Sequence, residues 1–255
     1  MAGAALAVRP PQQDAVNAAE RLIVALDFAT VAEAAAMVER LADTVSFYKI
    51  GLHLLFADGL FDFIRELRAS NNKIFLDFKF IDINDTIEGV ISGAARAGIE
   101  FVTVYQSPLA IKAAKQARTS YPNPKILTVT LLTDRDQDYI RSEFNWAGTV
   151  SDFVVKKAQM VHEAGGDGVI CSPQEVCAIR AAVRDPRFLI VTPGIRPEWS
   201  TTGGHKRAGT PTAAVACGAN YLVVGRPIIK ADNPHDAAKR VIDEMQTAFD
   251  EQEAD

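Results

Sequence analysis

Eight short apolar runs, each followed by a longer stretch with helical spacing, recur along the whole chain and restrict its fold more than any other feature. They are LIVALDF (22–28), SFYKIGL (46–52), KIFLDFK (73–79), FVTVYQ (101–106), KILTVTLL (125–132), GVICS (168–172), FLIVTPG (188–194) and YLVVGR (221–226). The runs are nearly continuous rather than alternating, which indicates strands buried on both faces and so paired in parallel. Between them, segments such as VAEAAAMVERLA and TIEGVISGAARAG place apolar residues at helical spacing. Gly98 and Gly165 stand where such helices should stop. Eight strand-then-helix units in 255 residues predict an α/β chain folded as one (β/α)8 TIM barrel, a design that uses about 250 residues. A doubly wound sheet would need fewer strands and a glycine-rich turn after the first, and LDFATVAEA has no glycine. The barrel is expected over residues 21–249. Residues 1–20 are expected to be a flexible extension, and 250–255 (DEQEAD) a loose acidic tail.

Composition narrows the functional classes. With 48% hydrophobic and 23% charged residues, the chain can bury a large core. A net charge of −5 argues against nucleic acid or a membrane surface as the main partner. No apolar run approaches the roughly 18 residues of a membrane span. The apolar N-terminus lacks a basic leader and is broken by Arg9-Pro10-Pro11, so the reading is cytoplasmic. Cys171, Cys177 and Cys217 are too few for a disulfide framework and read as buried, reduced thiols. Neither CxxC nor HExxH occurs, so no metal site is expected.

In a barrel of this type, polar residues at strand C-termini face the active site. Asp27 ends the first strand, Lys49 lies on the second, Asp77 and Lys79 end the third, Thr133 follows the fifth and Arg226 ends the eighth. Asp77 and Lys79 should share one face of their strand, about 6–7 Å apart along it. Asp82 lies just beyond, near a helix start at Thr86. A purely structural cluster would be a poor use of so many charges, because desolvation offsets most of the attraction. The seventh strand runs into TPGIRPEWSTTGGHKRAGTP and the eighth into GRPI. Arg196, Arg226 and the backbone around Gly225 could hold a phosphate dianion there. Lys206 and Arg207 read equally well as solvated charges or as phosphate contacts, and His205 alone reads as a loop histidine.

Taken in order, LIVALDF, YKIGL, LDFKFIDINDT, VTLLT, TPGIRP and VVGRPI resemble the orotidine 5′-phosphate decarboxylase family over residues 22 to 245. LDFKFIDINDT fits its DxKxxDIxxT element. The resemblance implies that Asp27 contacts ribose, that Lys49 bonds ribose and the next aspartate, and that Asp77 lies against the leaving carboxylate. Lys79 would be the proton donor. Asp82, Ile83 and Thr86 would cross a homodimer interface into the partner's site. Thr133 would sit by the pyrimidine, and Pro193, Arg196, Gly225 and Arg226 would serve substrate and phosphate binding. Three departures stand out. DINDT replaces DIPNT, Tyr105 stands where bacterial relatives often have histidine, and His205 takes the place of the phosphate-loop glutamine. Histidine changes charge near neutrality where glutamine does not.

The resemblance implies conversion of orotidine 5′-monophosphate to UMP and carbon dioxide with no cofactor. Carbon dioxide leaves an sp² ring carbon, so the electron pair stays in the ring plane, and most decarboxylases would recruit an electron sink. A caged ammonium aimed at that carbon is the alternative. The loop 195–210 would close over the phosphate. The rival reading is a Mg²⁺-dependent sugar-phosphate decarboxylase or aldolase of the same superfamily. It shares DxKxxD but wants an acid where this chain has Lys49. A barrel that merely binds nucleotides has no use for Lys79 between carboxylates.

Overall fold

A computed structural model describes residues 16–118, 121–200 and 207–254. The eight expected strands form, all but β3 shorter than the apolar runs: β1 Leu22–Ala25, β2 Phe47–Gly51, β3 Lys73–Phe80, β4 Phe101–Val104, β5 Lys125–Val129, β6 Gly168–Ile170, β7 Leu189–Thr192 and β8 Tyr221–Val224. All neighbours pair in parallel, and β8 returns to β1, closing the barrel in chain order. The helices are α1 Val31–Arg40, α2 Leu60–Ala69, α3 Asn84–Arg96, α4 Pro108–Ala117, α5 Gln137–Phe144, α6 Val150–Glu163, α7 Val176–Ala182, α8 Pro211–Ala216, α9 Arg226–Ile229 and α10 Pro234–Ala254. Capping boxes start α1 (Thr30 with Glu33) and α6 (Thr149 with Asp152). Gly98 and Gly165, just past α3 and α6, take φ of 69° and 84°, as the sequence predicts for helix stops.

Two cores result from the strand period of two. One face of each strand packs under the helices, while the other fills the barrel with Ile23, Phe47, Phe75, Phe101, Leu127, Ile170, Val191 and Val223. Phe101 is the hub of this interior, edge-on to Phe47 at 5.1 Å and to Tyr221 at 5.0 Å. The same face two residues further along carries Lys49, Asp77 and Thr103, so a polar layer rests directly on an aromatic one.

Three expectations are corrected. The extension expected over 1–20 is docked from Val16 onward: Ala18 is fully buried, its N–H donates to Gln246 Oε1 at 2.9 Å, and Gln246 Nε2 donates to Val16 O. The acidic tail continues α10 to Ala254, and Gln252 Nε2 donates to Val215 O at 2.6 Å. A helix in progress extends at little cost once its apolar face is packed. Cys177 and Cys217 form a disulfide instead of standing as buried thiols. Packing of α7 against the end of α8 brings residues 40 apart in sequence to a Cα separation of 4.6 Å, and Cys177 is exposed. Cys171 is buried and free as expected, with burial pushing its thiol pKa upward.

Candidate active site

The first three strands deliver a continuous row of charges. Lys49 Nζ donates to Asp27 Oδ1 at 2.9 Å and stands 4.0 Å from Asp77 Oδ2. The other Asp77 oxygen accepts from Lys79 Nζ at 2.8 Å. Positive and negative groups alternate along the row, so each lysine lies beside a carboxylate. Asp77 and Lys49 are largely buried, whereas the Lys79 side chain is 36% exposed at the mouth of the barrel.

Lys79 departs from regular strand geometry. Its φ is +54°, and the β3–β4 register shifts between Leu76 and Phe80. Such a bulge re-aims a side chain at the rim of a barrel. Thr103, which the sequence reading passed over, supports this turn: its hydroxyl accepts from the Lys79 N–H at 2.8 Å and donates to Asp77 Oδ1 at 3.2 Å. Gly51 was also passed over. It pairs with Asp77 in register, and a Cβ there would stand 2.8 Å from Lys49 Nζ. Both residues were discoverable by extending the inward face of each strand beyond its phenylalanine, two positions to Thr103 and four to Gly51.

Asp82, Ile83 and Thr86 lie together on the exposed entry to α3, which begins at Asn84, two residues before Thr86. Within one chain, among the described residues, Asp82 makes no ion pair with Lys79; its Oδ1 accepts from the Ile83 N–H at 2.7 Å. Ile81 and Ile83 flank it at 67% and 72% exposure. A cavity of about 260 Å³ opens beside Lys79, walled in part by Ile81, Tyr105, Leu131, Leu132 and Phe144. A larger one of about 740 Å³ lies at the opposite end of the barrel, near α1 and α2, and includes none of the expected site residues.

On the other side of the mouth, Pro193 and Arg196 follow β7, and Gly225 and Arg226 follow β8. Burial, and then the charge of Arg226, push the Arg196 guanidinium pKa down. Arg196 Nε is buried without a hydrogen-bond partner, and among the described residues neither guanidinium forms an ion pair. The place is electrostatically unbalanced and suited to an anion. Gly225 joins it to the charged row, since a Cβ there would stand 3.6 Å from Asp27 Oδ2. Thr133 is half-buried, and a Cβ on Gly194 (φ +81°) would meet its Cγ2 at 3.7 Å.

Of the two open readings for Arg207, neither holds. It is buried, with Nη1 on Glu175 Oε1 at 2.7 Å and Nη2 on Leu132 O at 2.9 Å. Ile195 bridges to Gly209, and the Arg196 N–H donates to Gly209 O at 2.8 Å, so the base of the 195–210 loop is pinned on both arms. His205 and Lys206 lie outside the described residues. Among the described residues, no group of three or more His, Cys, Asp or Glu side chains is placed to hold a metal ion. No helix among them is long and apolar enough to cross a membrane.

Comparison with known proteins agrees with this geometry. The orotidine 5′-phosphate decarboxylase of Caulobacter vibrioides is 45% identical over 234 residues, covering 90% of this chain and 99% of that protein. The one from Ruegeria pomeroyi is 44% identical over 227 residues, covering 89% and 94%. A crystal structure of orotidine 5′-phosphate decarboxylase from Lactobacillus acidophilus superposes with a TM-score of 0.77 at 35% identity, covering 89% of this chain and 99% of that one. The model of the Orotidine 5′-phosphate decarboxylase / HUMPS family matches residues 20–241, and the chain belongs to that family.

Proposed function

We propose that this protein decarboxylates orotidine 5′-monophosphate to UMP, the last step of UMP biosynthesis, using no borrowed electron acceptor. The observation that carries the reading is the alternating row Asp27–Lys49–Asp77–Lys79, which ends in an ammonium facing the mouth of the barrel. Breaking the bond between C6 and the carboxyl carbon releases carbon dioxide and leaves the electron pair on C6. The Lys79 ammonium stabilises that charge and then donates an N–H proton to C6; the resulting amine regains a proton from solvent. Asp77 restrains the ammonium before reaction, so little reorganisation is needed when charge develops. Asp27 and Lys49 bind the ribose, and Thr133 meets the pyrimidine. Arg196, Gly225 and Arg226 take the phosphate, whose binding energy orients the ring from a distance.

The site is completed by a second copy of the chain in this reading. Among the described residues Lys79 has a carboxylate on one side only, and Asp82, between exposed Ile81 and Ile83, is paired with no lysine. Exposed apolar residues around a charged group suit a protein interface. Asp82, Ile83 and Thr86 then enter the partner's site. Mixing Lys79→Ala with Asp82→Ala subunits should restore one intact site per heterodimer. No recovery despite demonstrated subunit exchange would remove the shared site.

The metal-dependent rival would need an acid at position 49. Here the Lys49 ammonium stands between Asp27 and Asp77, where its charge opposes a divalent cation. The deciding experiment follows the loss of orotidine 5′-monophosphate absorbance with and without EDTA. Equal rates are expected. Activity abolished by the chelator moves the assignment to the rival, and no absorbance change at all defeats the decarboxylase reading.

A further inference from the structure

We infer that Thr103 is a positioning residue for the proposed reaction, its hydroxyl locking Asp77 and Lys79 into one rigid unit; the inference rests on the decarboxylase reading. Thr103 is fully buried on β4, inward and next above Phe101. A threonine hydroxyl has one proton to give and lone pairs to accept. Here the proton goes to Asp77 Oδ1, since an ionised carboxylate only accepts, and a lone pair takes the Lys79 N–H. Asp77 Oδ1 therefore receives two donors, Thr103 Oγ1 at 3.2 Å and Lys79 Nζ at 2.8 Å. One small side chain fixes the backbone of one charged residue and the carboxylate of the other.

The reason a hydroxyl is needed lies in the backbone. In a regular parallel ladder the Lys79 N–H would point to β2, as the Lys73 N–H does to Ser46 O, but β2 ends at Gly51, opposite Asp77. Beside the register shift between Leu76 and Phe80 it donates to β4 instead. Lys79 also adopts φ +54°, a region that side chains other than glycine, asparagine and aspartate rarely occupy. Such a conformation persists only where the surroundings over-determine it. The Thr103 hydroxyl supplies the acceptor that the ladder has lost, in a place shut off from water. Valine at this position would keep the shape but leave the Lys79 N–H without an acceptor and Asp77 Oδ1 with the Lys79 ammonium as its one remaining donor.

The test compares wild type, T103V and T103S in steady-state decarboxylation of orotidine 5′-monophosphate, with thermal melts to confirm folding. T103V should lose about a hundredfold in kcat, the scale of removing one preorganised polar contact, while KM moves by no more than about threefold. T103S keeps the hydroxyl and should recover most of the loss, which a purely steric role would not produce. Crystal structures give a readout independent of turnover: Lys79 φ should leave the left-handed region in T103V and stay there in T103S. If T103V does not fold, T103C replaces it, with the same inequality against T103S. An active wild type with T103V within about twofold of it, or T103S no better than T103V, overturns the inference alone. An inert wild type overturns the decarboxylase reading, and the catalytic part of this inference with it.

Discussion

The two sides of the barrel mouth handle charge in opposite ways. On β1 to β3, positive and negative side chains alternate at separations of 2.8 to 4.0 Å, and a buried threonine ties the last pair to β4. Beyond β7 and β8, Arg196 and Arg226 stand together without an ion-pair partner among the described residues, and burial, then the charge of Arg226, raises the cost of charging Arg196. The first side is assembled before substrate arrives, as transition-state stabilisation requires. In the proposed function the second stays unfinished until an incoming dianion completes it. Reaction chemistry is therefore assigned to the balanced side and binding energy to the unbalanced one.

That division is open to direct attack. Asp77→Ala removes the centre of the balanced row, and kcat should fall by about a thousandfold or more. The loss should be similar for orotidine 5′-monophosphate and for orotidine, which lacks the phosphate. Arg207→Met leaves Glu175 buried without its partner and should cost about 3–5 kcal/mol of stability, read by denaturant unfolding. Adding Glu175→Leu should return most of it, because a well-packed apolar pair replaces a buried ion pair at little cost. Arg226→Ala should lower kcat/KM by about a hundredfold for the phosphorylated substrate and hardly at all for orotidine. Equal losses on both substrates would erase the distinction between the two sides. The smallest effect is expected for Gly51→Ala. Its Cβ would displace the flexible end of Lys49 and reduce activity by about tenfold, one step of 1.4 kcal/mol, with the melting temperature little changed.

The contrast between the two sides also governs what could be read from the sequence. LDFKFIDINDT is legible because charges at the end of an apolar strand are costly and so call for a function. The barrel is legible for a related reason, since eight doubly buried strands have few other arrangements. Thr103 escaped because threonine is an ordinary strand residue, and only the register shift beside it reveals the acceptor it supplies. Arg207 escaped because a charge in a glycine-rich loop looks solvated until its partner, 32 residues away, is placed beside it. Cys177 and Cys217 meet only after α7 and α8 pack, so spacing along the chain carried no signal for their bond. Val16 to Glu20 looked loose because the Gln246 side chain that holds them lies at the far end of the chain.

The most direct test of the account measures turnover of orotidine 5′-monophosphate by Lys79→Ala at saturating substrate, with UMP affinity measured on the same preparation. Loss of at least about ten thousandfold in kcat, with UMP binding held within about tenfold, is the predicted result. Turnover within tenfold of wild type would contradict the claim that the ammonium at position 79 meets the developing charge.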